Sequence, residues 1–231
     1  MGRGALILRA FLVALALAFP VKVFAEAPRV LVIGDSLLAW HSVSGTSVAD
    51  RLEKLLGAEV KDRSVGGARM LYKLPVTGAL GLSIPKQFRK VDRDAGWDWI
   101  VVNGGGNDLW FGCGCQKCDR KLGKLISEDG RRGAIPKLVD RLQAGGARVL
   151  WIGYLRSPGV DSPIDSCRDE GDILEARIDR LADAEEGMVF LSIADMVPEG
   201  DRSYHGVDMI HPSRKASLEI ARRIARVIGV E

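Results

Sequence analysis

Arg29-Val30-Leu31-Val32-Ile33-Gly34-Asp35-Ser36-Leu37 contains a strand and the turn that follows it. The unbroken apolar, mostly β-branched run from Val30 to Ile33 is typical of a strand that is buried on both faces of a parallel sheet. Gly34 ends the run, and Ser36 follows where the chain turns toward a helix. A serine in that place is expected at the carboxyl edge of the sheet, where α/β proteins bind their ligands.

The rest of the chain alternates between short apolar runs and amphipathic helical patterns. Further strands are predicted at 59–64, 97–103, 148–152 and 188–193, and helices at 46–56, 135–143, 170–184 and 212–228. Because such alternation places helices on both faces of a parallel sheet, the sequence predicts an α/β fold in one domain.

The net positive charge of the chain comes from its first 25 residues. Among the 231 residues, 47% are apolar, and 33 Lys and Arg stand against 30 Asp and Glu. The excess comes from Arg3, Arg9 and Lys22, and residues 26–231 are left with 30 basic and 30 acidic residues. This balance excludes the basic surface of a nucleic-acid-binding protein, and the apolar content excludes a disordered chain.

Residues 1–25 have the pattern of a secretory signal peptide. Basic residues precede the apolar run 10–19, and Val23-Phe24-Ala25 offers a cleavage site before Glu26. The run is shorter than the roughly 20 residues that a bilayer span needs. We therefore expect a periplasmic or secreted domain over 26–231 with no stable membrane span after cleavage. Retention of the segment as an anchor is the alternative.

Four cysteines fit an oxidising compartment: Cys113, Cys115, Cys118 and Cys167. Two disulfides are expected there, with three possible pairings. A zinc site with four thiolates is the alternative, and export makes it the weaker one. We expect the disulfides to hold the segment 109–133 along the rim of the site.

Polar residues and glycines follow several predicted strands at the carboxyl edge. Besides Ser36, they comprise Gly66-Gly67, Gly106-Asn107-Asp108 and Asp208-Met209-Ile210-His211. Alone, each group is a common turn or cap. Together they supply a nucleophile, hydrogen-bond donors, and a base with its orienting acid, which is the set that acyl transfer requires.

These groups resemble the four signature blocks of the SGNH hydrolases, also called the GDSL esterase/lipase family. The matching residues are Gly34-Asp35-Ser36-Leu37, Gly67, Gly106-Asn107-Asp108 and Asp208-x-x-His211. Gly67 is chosen over Gly66 because Ser64-Val65-Gly66-Gly67 fits the family pattern small-x-x-Gly. The resemblance implies a three-layer, doubly wound sheet of five parallel strands in flavodoxin-like order. It also implies a serine esterase that acts on ester or thioester substrates and needs neither a metal nor an organic cofactor, and the signal-peptide pattern adds that this enzyme is exported.

The expected roles follow from the chemistry of each group. His211 removes the proton of Ser36 as the hydroxyl attacks, and Asp208 accepts from the other ring nitrogen. The backbone N–H groups of Ser36 and Gly67 and the side-chain amide of Asn107 are the expected oxyanion donors, each worth ~3 kcal/mol in the transition state.

The roles of other residues near these blocks are less specific. Apolar side chains flank the nucleophile and Asn107, and they form either an acyl pocket or ordinary core: Leu37, Trp40, Trp110 and Phe111. His205 is a rival base that lacks the Asp-x-x-His spacing, and His41 is expected in the pocket or on the surface. Asp35 and Asp108 are expected to anchor backbone amides.

Two other functions remain open from the sequence. One is an acetyl esterase or acyltransferase that acts on cell-envelope carbohydrate. The other is a catalytically silent binding protein with the same fold.

Overall fold

The computed structural model describes residues 27–159 and 162–229, so the predicted signal peptide lies outside the described residues. Within them the strands are β1 Val30–Ile33, β2 Val60–Asp62, β3 Trp99–Val102, β4 Arg148–Ile152 and β5 Met188–Leu191. They form one sheet with the order β2-β1-β3-β4-β5, and every neighbouring pair is parallel. The expected flavodoxin-like order is confirmed.

The helices surround this sheet. They are α1 Ser36–Ala39, α2 Val48–Leu56, α3 Pro75–Thr77, α4 Ile84–Gln87, α5 Lys90–Arg93, α6 Gly106–Cys113, α7 Asp119–Leu125, α8 Ala134–Gln143, α9 Arg168–Ala184 and α10 Arg214–Ile228. Shorter turns of 3₁₀-helix occupy Ser42–Ser44, Asp165–Cys167 and Arg202–Tyr204, and a π-helical turn occupies Gly78–Leu82. The predicted helices correspond to α2, α8, α9 and α10.

The last helix begins two residues later than the sequence predicts. Ser213 is its N-cap, and its hydroxyl accepts a 3.2 Å hydrogen bond from the N–H of Ala216. Pro212 therefore precedes the cap instead of forming the first helical turn. A serine cap satisfies an N–H group that would otherwise lack a partner, which fixes the start of α10 at Arg214.

Both faces of the sheet are buried, and this produces three layers. One face packs against α4, α6, α7, α8 and α9 through Leu31, Ile33, Ile100, Val102, Val149 and Trp151. The opposite face packs against α1, α2 and α10 through Val30, Val32, Trp99, Val101, Leu150 and Ile152. Because consecutive strand residues point to opposite faces, the unbroken apolar run of β1 supplies both cores.

Asn103 joins the carboxyl ends of β1 and β3. Its Oδ1 accepts from the N–H of Asp35 at 3.0 Å, and its Nδ2 donates to Asp35 Oδ1 at 2.8 Å. A Cβ at Gly34 would lie 1.9 Å from Asn103 Oδ1, so only glycine fits there. This close junction places the residues that follow β1 beside those that follow β3.

The four cysteines form the disulfides Cys113–Cys118 and Cys115–Cys167. The first closes the connection between α6 and α7, and the second ties that connection to the start of α9. Sulfurs bound in this way supply no thiolates, which removes the zinc alternative. Over the residues 27–159 and 162–229, no helix is long and apolar enough to cross a membrane.

Candidate active site

Ser36 is the first residue of α1, directly beyond the carboxyl end of β1. Asp35 caps this helix, since its Oδ1 accepts from the N–H of Leu37 at 3.0 Å. Ser36 is half-buried and lines a cleft, as the sequence predicts for the residue after the first strand.

The loop before α10 brings Asp208 and His211 together. His211 Nδ1 and Asp208 Oδ2 are 2.6 Å apart, and Asp208 Oδ1 accepts from the N–H groups of Ile210 and His211 at 3.1 Å each. Partial burial raises the pKa of Asp208, but these hydrogen bonds outweigh it and hold the pKa below its usual value. An ionised Asp208 accepts a hydrogen bond from the N–H at Nδ1 of His211, which leaves the lone pair of the ring on Nε2.

His211 lines the same cleft as Ser36. Within the part of the chain that the structure describes, no direct hydrogen bond joins the Ser36 hydroxyl to the His211 ring. Such contacts commonly tighten only when a substrate binds.

Asn107 lies in the first turn of α6 and lines the cleft. Its Nδ2 donates to the carbonyl oxygen of Ala68 at 3.1 Å, which ties it to the block that contains Gly67. An amide NH₂ carries two hydrogens, so one remains for a ligand.

Gly67 adopts a φ of 76°, in the left-handed region that favours glycine. Its N–H has no acceptor among the described residues. A Cβ at the preceding Gly66 would lie 3.9 Å from Ser36 Cβ, which shows how closely this turn approaches the nucleophile. Neither glycine is among the residues that line the cleft.

Asp108 anchors the segment after Gly67 through backbone amides, as expected from the sequence. Its buried carboxylate accepts from the N–H of Met70 at 2.7 Å and from the N–H of Leu71 at 2.9 Å. Burial raises the pKa of Asp108, and the two backbone hydrogen bonds oppose that rise. The segment after Gly67 is therefore fixed to α6.

Tyr154 completes a buried network that the sequence motifs do not predict. Its hydroxyl donates to Asp35 Oδ2 at 2.5 Å and accepts from the N–H of Gly106 at 3.1 Å. Burial raises the pKa of Tyr154 well above its usual value, and the neighbouring Asp35 adds to the effect. Burial also raises the pKa of Asp35, against hydrogen bonds from Tyr154, Leu37 and Asn103. The position of Tyr154 just after β4 could have indicated this role, because residues that follow β4 lie at the same edge of the sheet as Ser36.

The cleft is mostly apolar and opens to solvent. Besides Ser36, Asn107 and His211, its wall includes Leu37, Leu109, Trp110, Leu155, Ile164, Cys167, Leu174 and Ile210. Leu37 and Trp110 thus lie where an acyl pocket was expected. Trp40 and Phe111 do not line this cleft, and Phe111 is 63% exposed.

Two arginines, Arg156 and Arg168, belong to the polar part of the cleft wall. Arg156 is paired with Asp172 at 2.6 Å and with Glu175 at 2.7 Å, so its charge is neutralised locally. Arg168, the first residue of α9, is exposed beside it. The cleft therefore combines an apolar wall with one exposed arginine, Arg168.

The other two histidines lie outside this cleft. His41 Nε2 is 3.1 Å from the carbonyl oxygen of Pro212. His205 is buried, and neither of its ring nitrogens has a hydrogen-bond partner among the described residues. The structure therefore pairs His211, and not His205, with Asp208.

Comparisons with known proteins agree with this architecture. The sequence profile described as GDSL-like Lipase/Acylhydrolase family matches residues 32–217. A search of curated proteins finds no match.

Solved structures with the same fold include a protein from Slackia heliotrinireducens described as an SGNH hydrolase. It is 22% identical, with a TM-score of 0.59, over 88% of this chain and 100% of its own. The psychrotrophic esterase EstA from Pseudoalteromonas sp. is 14% identical, with a TM-score of 0.59, over 87% of this chain and 96% of its own. An extracellular lipase from Streptomyces rimosus is 16% identical, with a TM-score of 0.57, over 85% of this chain and 99% of its own.

The matched segment contains all four blocks and nearly the whole sheet. The chain belongs to the GDSL-like lipase/acylhydrolase family and is a serine ester hydrolase with the SGNH hydrolase fold.

Proposed function

We propose that the protein hydrolyses carboxylic esters through an acyl-enzyme on Ser36, with His211 as the base and Asp208 as its orienting acid. The observation that carries this proposal is that Ser36, Asn107 and the Asp208-bound His211 converge on one apolar cleft. An aliphatic hydroxyl needs a base to become a nucleophile, and an imidazole held by a carboxylate is suited to that role.

In the first half-reaction, the Ser36 oxygen bonds to the ester carbonyl carbon while His211 Nε2 takes the hydroxyl proton. The carbonyl oxygen becomes an anion, which the N–H groups of Ser36 and Gly67 and the free amide hydrogen of Asn107 stabilise. The intermediate then breaks its bond to the alcohol oxygen, and the alcohol leaves with the proton from His211.

Water completes the cycle. His211 takes a proton from water as its oxygen attacks the acyl carbon, and a second oxyanion forms in the same place. Collapse of this intermediate returns the proton to Ser36 and releases the carboxylic acid. No oxidant, metal or organic group takes part in these steps.

The apolar lining of the cleft favours an ester with an apolar acyl chain over an acetyl ester. Aliphatic side chains and Trp110 form most of its apolar wall. Apolar walls bind apolar groups by removing their surface from water.

We propose that the enzyme acts outside the cytoplasm, after removal of residues 1–25. Two disulfides hold the connection between α6 and α7, one of them through Cys167 in the cleft wall, and such bonds persist in oxidising compartments. The extracellular lipase from Streptomyces rimosus shares the fold.

The test compares the wild-type protein with Ser36→Ala on p-nitrophenyl esters from acetate to decanoate. Loss of the nucleophile should lower kcat by at least ~10³-fold on every ester, while an exposed serine, changed as Ser44→Ala, should have no effect. A fluorophosphonate should add one phosphonyl group to the wild type, located on Ser36 by peptide mass spectrometry. Equal turnover by wild type and Ser36→Ala, or labelling elsewhere, would overturn the serine mechanism.

The chain-length profile tests the substrate class. A maximum at six carbons or more agrees with the apolar wall, and a maximum at acetate supports the acetyl esterase alternative. Ester binding without turnover in both proteins would point to a silent binding protein.

A further inference from the structure

Trp40 lies flat against the ring of His211. The two ring centroids are 3.7 Å apart, and the ring planes differ by 5°. Trp40 is 36% exposed and does not line the cleft, so its indole has a role other than that of an acyl-pocket wall.

Trp40 is held by the same helical turn that carries Ser36. It ends α1, and its N–H donates to the carbonyl oxygen of Ser36 at 2.9 Å. The nucleophile and the indole are therefore one turn apart on a single short element. Backbone geometry therefore fixes the Cα of Trp40, the C-cap of α1, relative to Ser36.

The next residue contacts the loop of His211 at a second point. His41 Nε2 is 3.1 Å from the carbonyl oxygen of Pro212, which directly follows His211. From the other side, the N–H of Gly206 donates to the carbonyl oxygen of His211 at 2.7 Å. The loop is thus tied to the segment after Ser36 through ring stacking and a hydrogen bond.

We propose that Trp40 is a positioning residue that holds the imidazole plane of His211 toward Ser36. This proposal rests on the proposed function of His211 as the base. The bond to Asp208 fixes one nitrogen but leaves the ring free to tilt about that bond. A stacked indole removes this freedom.

The kinetic test compares Trp40→Leu, which removes the aromatic face, with Trp40→Phe, which keeps one. We expect Trp40→Leu to lower kcat about 10- to 30-fold with KM changed less than about 2-fold, and Trp40→Phe to stay within about 3-fold of wild type. Equal kcat in the two variants would refute the proposal.

A second test does not depend on turnover. The fluorescence of Trp40 is the difference between the signals of Ser36→Ala and of the double variant Ser36→Ala/Trp40→Phe. This difference is recorded from pH 5 to pH 8. Protonation of a stacked imidazole should quench this signal in one step, and His211→Asn should abolish the step. A difference signal that does not change with pH would show that the two rings are not stacked in solution. Failure of the serine mechanism is detected separately, by ester turnover of Ser36→Ala.

Discussion

The hydroxyl of Tyr154 donates to Asp35 Oδ2 at 2.5 Å and accepts from the N–H of Gly106 at 3.1 Å. One side chain thereby joins the residue before the nucleophile to the residue before Asn107. The distance between the attacking oxygen and an oxyanion donor thus depends on a tyrosine from a third strand end. Small displacements of such groups have large effects on rate, because reacting atoms must lie within about 3–3.5 Å.

Tyr154→Phe tests this coupling. The variant keeps the ring but removes both hydrogen bonds, leaving a buried carboxylate with one donor fewer. We expect kcat to fall about 10-fold and the free energy of unfolding to fall by about 1–3 kcal/mol. Ester kinetics and urea unfolding measure the two effects.

Tyr72→Phe is the matched control for Tyr154→Phe. It removes a 2.8 Å contact between the Tyr72 hydroxyl and Thr77 Oγ1, in a segment that does not line the cleft. Its kcat should equal that of the wild type. If Tyr154→Phe is as active as this control, Tyr154 does not position the site.

The disulfides should differ in their effect on stability. Cys115–Cys167 closes a separation of 52 residues and Cys113–Cys118 one of 5 residues. The loss of chain entropy in the unfolded state then corresponds to about 4 kcal/mol for the first and about 2 kcal/mol for the second. Urea unfolding of the paired Cys→Ser variants checks this order, and a larger loss in the shorter loop would contradict it.

Reduction should also affect activity before it unfolds the domain. Cys167 lines the cleft, and its bond holds the start of α9 against the connection from α6 to α7. Titration with a reductant, followed by ester turnover and far-UV circular dichroism, should show activity lost first. Full activity with unchanged thermal stability in the reduced protein would show that the bonds do not hold the rim.

Glu175 shows where hydrophobic patterning fails. The apolar spacing of 170–184 correctly predicts α9, and it assigns a charged residue to the solvent side. Glu175 is instead 6% exposed and accepts from the N–H of Tyr154 at 2.8 Å and from Arg156 at 2.7 Å. These partners come from the loop after β4, which the pattern of one helix does not contain.

Glu175→Ala should therefore be strongly destabilising. It would leave the buried N–H of Tyr154 and the charge of Arg156 without this acceptor, which typically costs about 3–5 kcal/mol. Asp172→Ala is the control, because Asp172 pairs with the same arginine but is 58% exposed. The control should lose less than about 1 kcal/mol. Similar losses in both variants, measured by urea unfolding, would contradict this view.

The fold and the four blocks could be predicted because they are local in sequence. Apolar runs mark the strands, and the residues directly after β1 and β3 identify Ser36 and Asn107. Contacts between distant segments could not be predicted in this way. Trp40 is an aromatic residue close to Ser36 in sequence, which predicts a pocket or core residue. Its contact with His211 depends on the path of the loop before α10.

His205 differs from the other histidines in having no hydrogen-bond partner for its buried ring among the described residues. Burial lowers its pKa below the usual 6.5, and the charge of Asp208 opposes this only in part. The folded state therefore resists protonation of His205, whereas the unfolded state takes up a proton near pH 6.5. As the pH falls from about 6.5 toward the lower folded-state pKa, the unfolded state is favoured and stability decreases.

His205→Leu should remove this part of the pH dependence. At pH 8 both residues are neutral, and loss of a buried polar ring without partners should leave stability unchanged or raise it by about 1 kcal/mol. Between pH 6.5 and 5, the wild type should lose up to about 1.4 kcal/mol more per pH unit than the variant, the value for one proton. Urea unfolding at several pH values checks this difference. Parallel stability curves for the two proteins would mean that His205 binds a proton equally well in the folded and unfolded states.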